Sequence, residues 1–215
     1  SDFNRNSFLK GAASLLSKLP EQFPRSIMTQ LNASIVLAVP LLENSYRAPA
    51  PKTDKVLSVV WNHRWEFDKG PQLLLTITAA IEAKKLPIQL HVVGQQFREQ
   101  PIEFKQINNL LDNHAKETGI KRGLFGFVDE HSAYVQLLKT CDVVLSTAIH
   151  DFQGLAVQEA CLMGCVPLTP DDLAYPEYIP EKYRYPVRSS IEATADEAVK
   201  QMLKYCALKC SGELV

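Results

Sequence analysis

The sequence lacks any apolar run longer than a strand. Its hydrophobic stretches are short and broken by polar residues, so none approaches the ~20 apolar residues a spanning helix needs, and a membrane-spanning protein is excluded. It also lacks an excess of either charge. Lys and Arg total 23 against 24 Asp and Glu, a formal net charge of −1, so no global basic field draws in nucleic acid. A polyanionic partner would need a local patch or another domain. There is no initiator Met and no charged-then-apolar leader in the opening Ser1-Asp2-Phe3-Asn4-Arg5-Asn6-Ser7, which predicts a chain shortened at its start and belonging to a longer protein. Internal repeats and low-complexity tracts are missing as well. The five cysteines are an odd number, and several sit among apolar neighbours, as buried thiols of a reducing cytoplasm do. Cys161/Cys165 and Cys206/Cys210 each share a helical face, but no His flanks either pair, so no metal site is expected. In a cytoplasmic protein the Asn32-Ala33-Ser34 sequon carries no meaning.

What is present, 215 residues of which 46% are hydrophobic and 22% charged, suffices for one substantial core and an appendage. Residues 7 to 33 read as two short helices. Leu9, Leu15, Leu16 and Leu19 lie on the first and Ile27, Met28 and Leu31 on the second, with Pro20 and Pro24 between them. Ile35 to Val39 is a β-branched run ended by Pro40, and Ala48-Pro49-Ala50-Pro51 reads as an extended linker. The predicted division is therefore 1–47, a small helical appendage with the start of the linker, and 48–215, one full domain with its C-terminal helix.

Beyond the linker, strand-length apolar runs (Val56 to Trp61, Ile88 to Val93, Gly123 to Phe127, Val143 to Ser146, Val166 to Thr169) alternate with amphipathic helices near 70–85, 101–117, 131–140 and 154–163. Such alternation implies an α/β, Rossmann-like doubly wound parallel sheet covered on both faces. A last helix, from about Ile191 to Leu208, either packs on this domain or crosses to a missing one. Ligands of such sheets bind outside the carboxyl ends of the strands, so the chemistry belongs in the loops there.

In the first loop, Arg64 and Lys69 are two cations able to neutralise a diphosphate, Arg as a fork and Lys as a point charge; the alternative is solvated surface. Trp61 and Trp65 read as packing, and His63 as a tether or as a donor to phosphate or sugar. Gly94 opens the second loop, either as a plain turn or to admit a close ligand. Phe127 and Val128 end the third strand, where they either pack or flank a base. The fourth loop, Ser146 to Ala160, is the most informative. Its Gly154 begins a helix, so the backbone N–H groups of Gln153, Gly154 and Leu155 are expected to receive an anion. Asp151 precedes that helix and Glu159 lies within it; as bland alternatives, Asp151 caps the helix and Glu159 is a surface residue. His150 is weighed between proton transfer and simple positioning.

The carboxylate-x7-Glu segment 151–159 with its Gly154, the Arg64-x4-Lys69-Gly70 string and the Gly164 to Pro167 region resemble retaining glycosyltransferases of the GT-B fold. More narrowly, Trp61-x-His63-Arg64-Trp65-Glu66-x2-Lys69, His150-Asp151-Phe152-x-Gly154 and Asp172-Leu173-x-Tyr175-Pro176-Glu177 are similar to the tRNA-queuosine mannosyltransferases, over about residues 50 to 185. The resemblance implies the C-terminal half of a GT-B enzyme, with a nucleotide sugar, GDP-mannose, as donor substrate and no metal or other cofactor. It implies that Arg64 and Lys69 hold the donor diphosphate, Glu159 the ribose, and Phe127 and Val128 the base, with His63, Gly94, His150, Phe152, Gln153, Gly154 and Leu155 completing the donor site. Asp151 stands where the family carries Glu, reaching one methylene less toward the sugar. By the same resemblance residues 1–47 are the tail of a truncated N-terminal domain, which would hold the acceptor, queuosine in tRNA, so these residues alone are expected to bind donor without turnover. Two alternatives stay open: a transferase acting on a lipid, glycan or small molecule, and a non-catalytic nucleotide-binding module.

Overall fold

A computed structural model describes residues 1–19, 24, 26–37 and 55–214. The expected proline break at Pro20, the end of the β-branched run at Val39-Pro40, the 48–51 linker and the 47/48 domain boundary lie outside the described residues. Two N-terminal helices, α1 (Asp2–Leu16) and α2 (Ser26–Asn32), precede the α/β unit. That unit runs β1 (Leu57–Trp61), α3 (Pro71–Ala83), β2 (Ile88–Val93), α4 (Glu103–Thr118), β3 (Phe125–Gly126), α5 (His131–Thr140), β4 (Val143–Leu145), α6 (Leu155–Leu162), β5 (Val166–Pro170), β6 (Arg184–Tyr185) and α7 (Ile191–Ser211).

The six strands form one sheet in the order β3-β2-β1-β4-β5-β6, and every pairing is parallel. This is the doubly wound Rossmann-like arrangement, whose order reverses between β1 and β4 and opens a crevice at their carboxyl ends. The alternation of strand side chains builds two cores. Leu57, Val59 and Trp61 with Val143 and Leu145 face α3, α4 and α7, while Val60, Val93 and Val144 face α5 and α6.

Helix faces follow the same logic. On α4 the buried residues are Phe104, Ile107, Leu111 and His114, one per turn of the inner face, and the helix ends at Gly119 in the left-handed region. On α7, Ser190 caps the first turn by accepting from the Ala193 N–H, and Ala195, Ala198, Val199, Met202 and Cys206 turn inward against α3 and β1. Of the two placements open for this helix, it takes the one on its own domain. Lys209 fixes its far end, donating to the Val56 carbonyl and pairing with the buried Asp142 carboxylate.

Three local features differ from expectation. The third strand is only two residues long, and β6 was not foreseen because Arg184-Tyr185 is too short to show a period. Helix α1 starts at Asp2 rather than near residue 7, since the Ser1 hydroxyl accepts from the Asn4 N–H and caps the first turn. Its side chains are not buried. Its N-terminus instead meets the α/β unit: the N–H groups of Asp2 and Phe3 donate to the Glu177 carboxylate at 3.1 and 2.8 Å. The Asn4 amide donates to the Asp151 and Phe152 carbonyls, each at 2.9 Å.

Candidate functional site

At the end of β1 the chain leaves the sheet as Asn62-His63-Arg64, and at the end of β4 as Ser146-Thr147-Ala148. The two loops are stitched across the crevice. Trp61 Nε1 donates to Thr147 Oγ1 at 2.9 Å, Thr147 Oγ1 donates to the Lys69 carbonyl at 2.8 Å, and the Asp68 carbonyl accepts from the N–H groups of Ile149 and His150. Gly70 lets the loops close. Its φ is +64°, and a Cβ there would lie 1.9 Å from the Thr147 carbonyl oxygen.

A cavity of about 300 Å³ opens outside β1, β2 and β3. Five of the residues expected at the site line it: His63, Arg64, Gly94, Phe127 and Val128. Gly94 (φ +148°) approaches the His63 carbonyl so closely that a Cβ would sit 1.9 Å from its oxygen, which sets the depth of the cavity floor. Phe127 is 58% exposed and therefore available to a planar ligand rather than spent in the core. Arg64 is exposed and pairs with Glu66 at 3.0 Å, so its guanidinium sits at the rim, lightly held. The lining also includes Asn62, Gln95, Asp129, His131 and Tyr134. No residue-type signal marks these; Tyr134 and His131 join the site only because α5 presents one face to the strand ends.

Lys69 occupies a different position from Arg64. It is buried, with Nζ donating to the His150 carbonyl at 2.8 Å, 3.1 Å from Asp68 and 3.9 Å from Asp151. It is thus the centre of a compact polar cluster rather than a free cation at the mouth. Asp151 is shared among several partners. One oxygen accepts from the Gly154 N–H at 3.2 Å, and the other accepts from the Tyr175 hydroxyl at 3.0 Å. The Gly154 N–H, expected to be free for an anion, is therefore taken by Asp151 in the turn that leads into α6, whose N-cap is Gly154 itself. Ser146 Oγ bonds the same Tyr175 hydroxyl at 2.7 Å, and burial followed by the Asp151 charge holds that phenol protonated, well above its usual range.

His63 lies buried, its ring centroid 5.2 Å from that of Trp61 in an edge-on arrangement. Burial lowers its pKa to about 4; Asp151 pulls it up, Lys69 pushes it down and Asp68 pulls it up by lesser amounts, so the ring is neutral near pH 7. Its Nε2 has no hydrogen-bond partner among the described residues. His150 and Phe152 are exposed and meet edge to face at 4.8 Å. The Gln153 carbonyl accepts from Gln158 Nε2 at 2.8 Å, and Leu155, partly exposed, opens α6. Glu159 Oε2 accepts from the Tyr134 hydroxyl at 2.9 Å, which ties it to the cavity wall rather than to bulk solvent. Among the described residues no three His, Cys, Asp or Glu side chains gather in a metal-binding group, and no helix is long and apolar enough to cross a membrane.

Trp61 and Trp65 are packing residues, as their size suggests: both are buried, and Trp65 stacks on Phe104 at 4.2 Å. Tyr175 and Glu177, present in the Asp-Leu-x-Tyr-Pro-Glu string but given no role from sequence, turn out to hold Asp151 and α1 respectively.

Comparison with known proteins fits this geometry. The chain is 31% identical, over 97% of its length, to the tRNA-queuosine alpha-mannosyltransferase of Drosophila melanogaster, and spans 54% of that relative. Among solved structures it is similar to S. aureus TarM, whose structure was determined with fondaparinux, alpha-GlcNAc-glycerol and UDP (TM-score 0.59, 18% identity, 87% of this chain and 36% of that one). It is also similar to the C-terminal domain of the group 1 glycosyl transferase LpcC from Francisella tularensis (TM-score 0.53, 19% identity, 71% of this chain and 78% of that one). At these identities the structural likeness speaks to the fold alone. The glycosyl transferases group 1 family profile matches residues 43–207, most of the chain. The resemblance carried by the 61–69 and 150–159 strings therefore holds, and the chain belongs to the glycosyl transferases group 1 family.

Proposed function

We propose that this chain is the donor-binding domain of a cytoplasmic, metal-independent retaining hexosyltransferase that takes mannose from GDP-mannose and delivers it to queuosine in tRNA. The acceptor would be held by the remainder of a longer protein. The observation that carries the reading is the 300 Å³ cavity at the strand ends, with an exposed aromatic ring on one side and a lightly held guanidinium on its rim. The 31% identity to a protein named as a tRNA-queuosine mannosyltransferase supports the donor and acceptor.

In this reading Phe127 and Val128 flank the base, Glu159 accepts from the ribose, and Arg64 neutralises the diphosphate as it leaves, a charge stabilisation that needs no metal. Lys69 fixes the loop through the His150 carbonyl and adds positive potential beneath it. When Asp151 turns toward the hexose hydroxyls, the Gly154 N–H is released to the phosphate at the start of α6. His63 presents a neutral ring to the ligand, and Gly94 leaves it room.

The test is a thermal-shift titration of this chain with GDP-mannose, UDP-glucose and buffer. A native-state ligand at a hundred times its Kd adds about 2.7 kcal/mol of stability, or roughly 5–10 °C for a chain of this size. GDP-mannose is expected to give that shift. A larger shift with UDP-glucose would replace the donor, and none with either would favour a non-catalytic module. Transfer assays on the longer protein then decide between queuosine-bearing tRNA and a lipid, glycan or small-molecule acceptor. Transfer by these 215 residues alone would contradict the need for a second domain.

A further inference from the structure

A chain of hydrogen bonds in the cavity wall lies outside the roles given so far. Asn62 is buried, and its Nδ2 donates to the Ala156 carbonyl at 2.9 Å and to the Tyr134 hydroxyl at 2.9 Å. A carbonyl can only accept, so the contact with Ala156 fixes which end of the amide is which. Both amide protons are then used. The Tyr134 oxygen accepts one of them and must turn its own proton outward, onto Glu159 Oε2 at 2.9 Å. Burial, then the adjacent Glu159 charge, raises the Tyr134 pKa above its usual range, so this proton stays on the phenol. Direction therefore runs one way, from Asn62 through Tyr134 to Glu159, and pins one carboxylate oxygen while leaving the other for a ligand.

Two further atoms point to a ligand at this wall. Asn62 Oδ1 and His63 Nε2 are buried without a hydrogen-bond partner among the described residues, and both side chains border the cavity. Buried polar atoms left unpaired are costly, and sites that bind hydroxyls or amides account for many of them. The lining carries Asp129 and the Asn62 amide, and Glu159 sits one hydrogen bond behind Tyr134, acceptors that suit the hydroxyls of a vicinal diol.

We infer that Asn62 and Tyr134 are positioning residues that aim Glu159 at the ribose hydroxyls of a bound nucleoside diphosphate. The inference rests on the nucleotide-sugar reading of the cavity and deepens it, assigning ribose selectivity to a relay rather than to Glu159 alone.

Calorimetric titration of the 215-residue chain with GDP and with 2′,3′-dideoxy-GDP tests it, the fold of each variant being checked by its melting temperature. Wild type is expected to prefer GDP by about tenfold or more, the worth of a hydrogen bond to a charged group. Tyr134→Phe keeps the ring but loses the relay, so GDP binding should weaken about tenfold while dideoxy-GDP binding stays within about twofold. Asn62→Asp, of the same shape, gives the hydroxyl a competing carboxylate and should also erase the preference. Adding Glu159→Gln to Tyr134→Phe should cost little more, because the two act as one unit. A Tyr134→Phe protein that keeps the wild-type preference overturns the relay. A wild type that binds both nucleotides equally overturns ribose recognition at this wall but leaves the donor site standing. A wild type that binds neither removes both readings.

Discussion

Replacing Gly70 by Ala should unfasten the crevice, and Gly119→Ala supplies the control that isolates the reason. Both glycines have φ near +70°, so an added Cβ costs each of them about 1–2 kcal/mol of left-handed strain. Around Gly119 nothing among the described residues lies within 4 Å, so the strain carries the effect there. At Gly70 the Cβ would sit 1.9 Å from the Thr147 carbonyl oxygen and 3.0 Å from its carbon, both backbone atoms of a fully buried residue. Ordinary contact begins at 3.4 Å, so the loops after β1 and β4 must part by about 1.5 Å, the difference between that contact and the 1.9 Å approach, as an overpacked site does. Such a movement breaks the 2.8 Å bond from Thr147 Oγ1 to the Lys69 carbonyl and strains the bonds that the Asp68 carbonyl accepts from Ile149 and His150. Overpacking of about 1–3 kcal/mol and lost hydrogen bonds of about 1 kcal/mol each bring the total to roughly 3–6 kcal/mol. The expected fall in Tm is about 6–24 °C for Gly70→Ala and about 2–8 °C for Gly119→Ala. Thermal unfolding followed by tryptophan fluorescence measures both, since Trp61 and Trp65 are buried beside the loop. Similar destabilisation by the two variants would refute the argument that close approach, rather than backbone strain, holds the crevice shut.

Arg64→Ala should weaken nucleotide-sugar binding with under about 0.5 kcal/mol lost in stability, since its partner Glu66 is solvated, whereas Lys69→Ala should cost about 2–4 kcal/mol by stranding Asp68 and Asp151; equal melting temperatures for the two would contradict this placement. Stability should fall on mild acidification. Burial lowers both His63 and His91 from 6.5 to about 4, so the unfolded chain binds the extra protons between those values, and the contribution is full above pH 6.5 and lost as pH drops toward 4. Unfolding free energies from urea titrations at pH 7.5 and 5.5 should differ by about 2–3 kcal/mol from the two rings, and a flat profile would count against their burial as neutral groups. Glu177→Ala should release α1 without unfolding the sheet, read as faster tryptic cleavage after Arg5 and Lys10; unchanged cleavage would mean that the carboxylate does not anchor the helix.

Strand and helix order was legible because the parallel sheet demands apolar strands at regular spacing, and each of the five foreseen runs sits in the sheet. The sixth, Arg184-Tyr185, was not, since two residues carry no period and Tyr185 is held by its hydroxyl to the Ser146 carbonyl at 2.7 Å, a tertiary contact that no local pattern announces. The loops that border the cavity were legible from the rule that ligands sit at carboxyl ends of strands. Which side chains of those loops act together was less so. Arg64 and Lys69 read from sequence as a pair of cations at one mouth, yet four residues and a 3-10 turn separate a rim guanidinium from a buried ammonium. Partners supplied by distant elements, such as Tyr134 for Glu159 and Tyr175 for Asp151, leave no mark near the residues they serve.

The Trp61-to-Arg64 segment links the cavity to the polar cluster around Lys69. Each of its four residues has a different errand set by the end of one strand. Trp61 reaches under the crevice to Thr147, Asn62 to Ala156 and Tyr134, His63 lies among Lys69, Asp68 and Asp151, and Arg64 stands at the rim. The cavity by β2 and β3 and the polar cluster by β4 are thus joined through consecutive residues of one chain segment. A shift of that segment moves both together, so a variant of its first residue, Trp61→Phe, removes the bond to Thr147 and the volume of the fused ring while keeping an aromatic ring in the core. Such a variant should alter binding at the cavity and the Lys69 cluster in concert; independent responses of the two would mean that they are separate sites that merely adjoin.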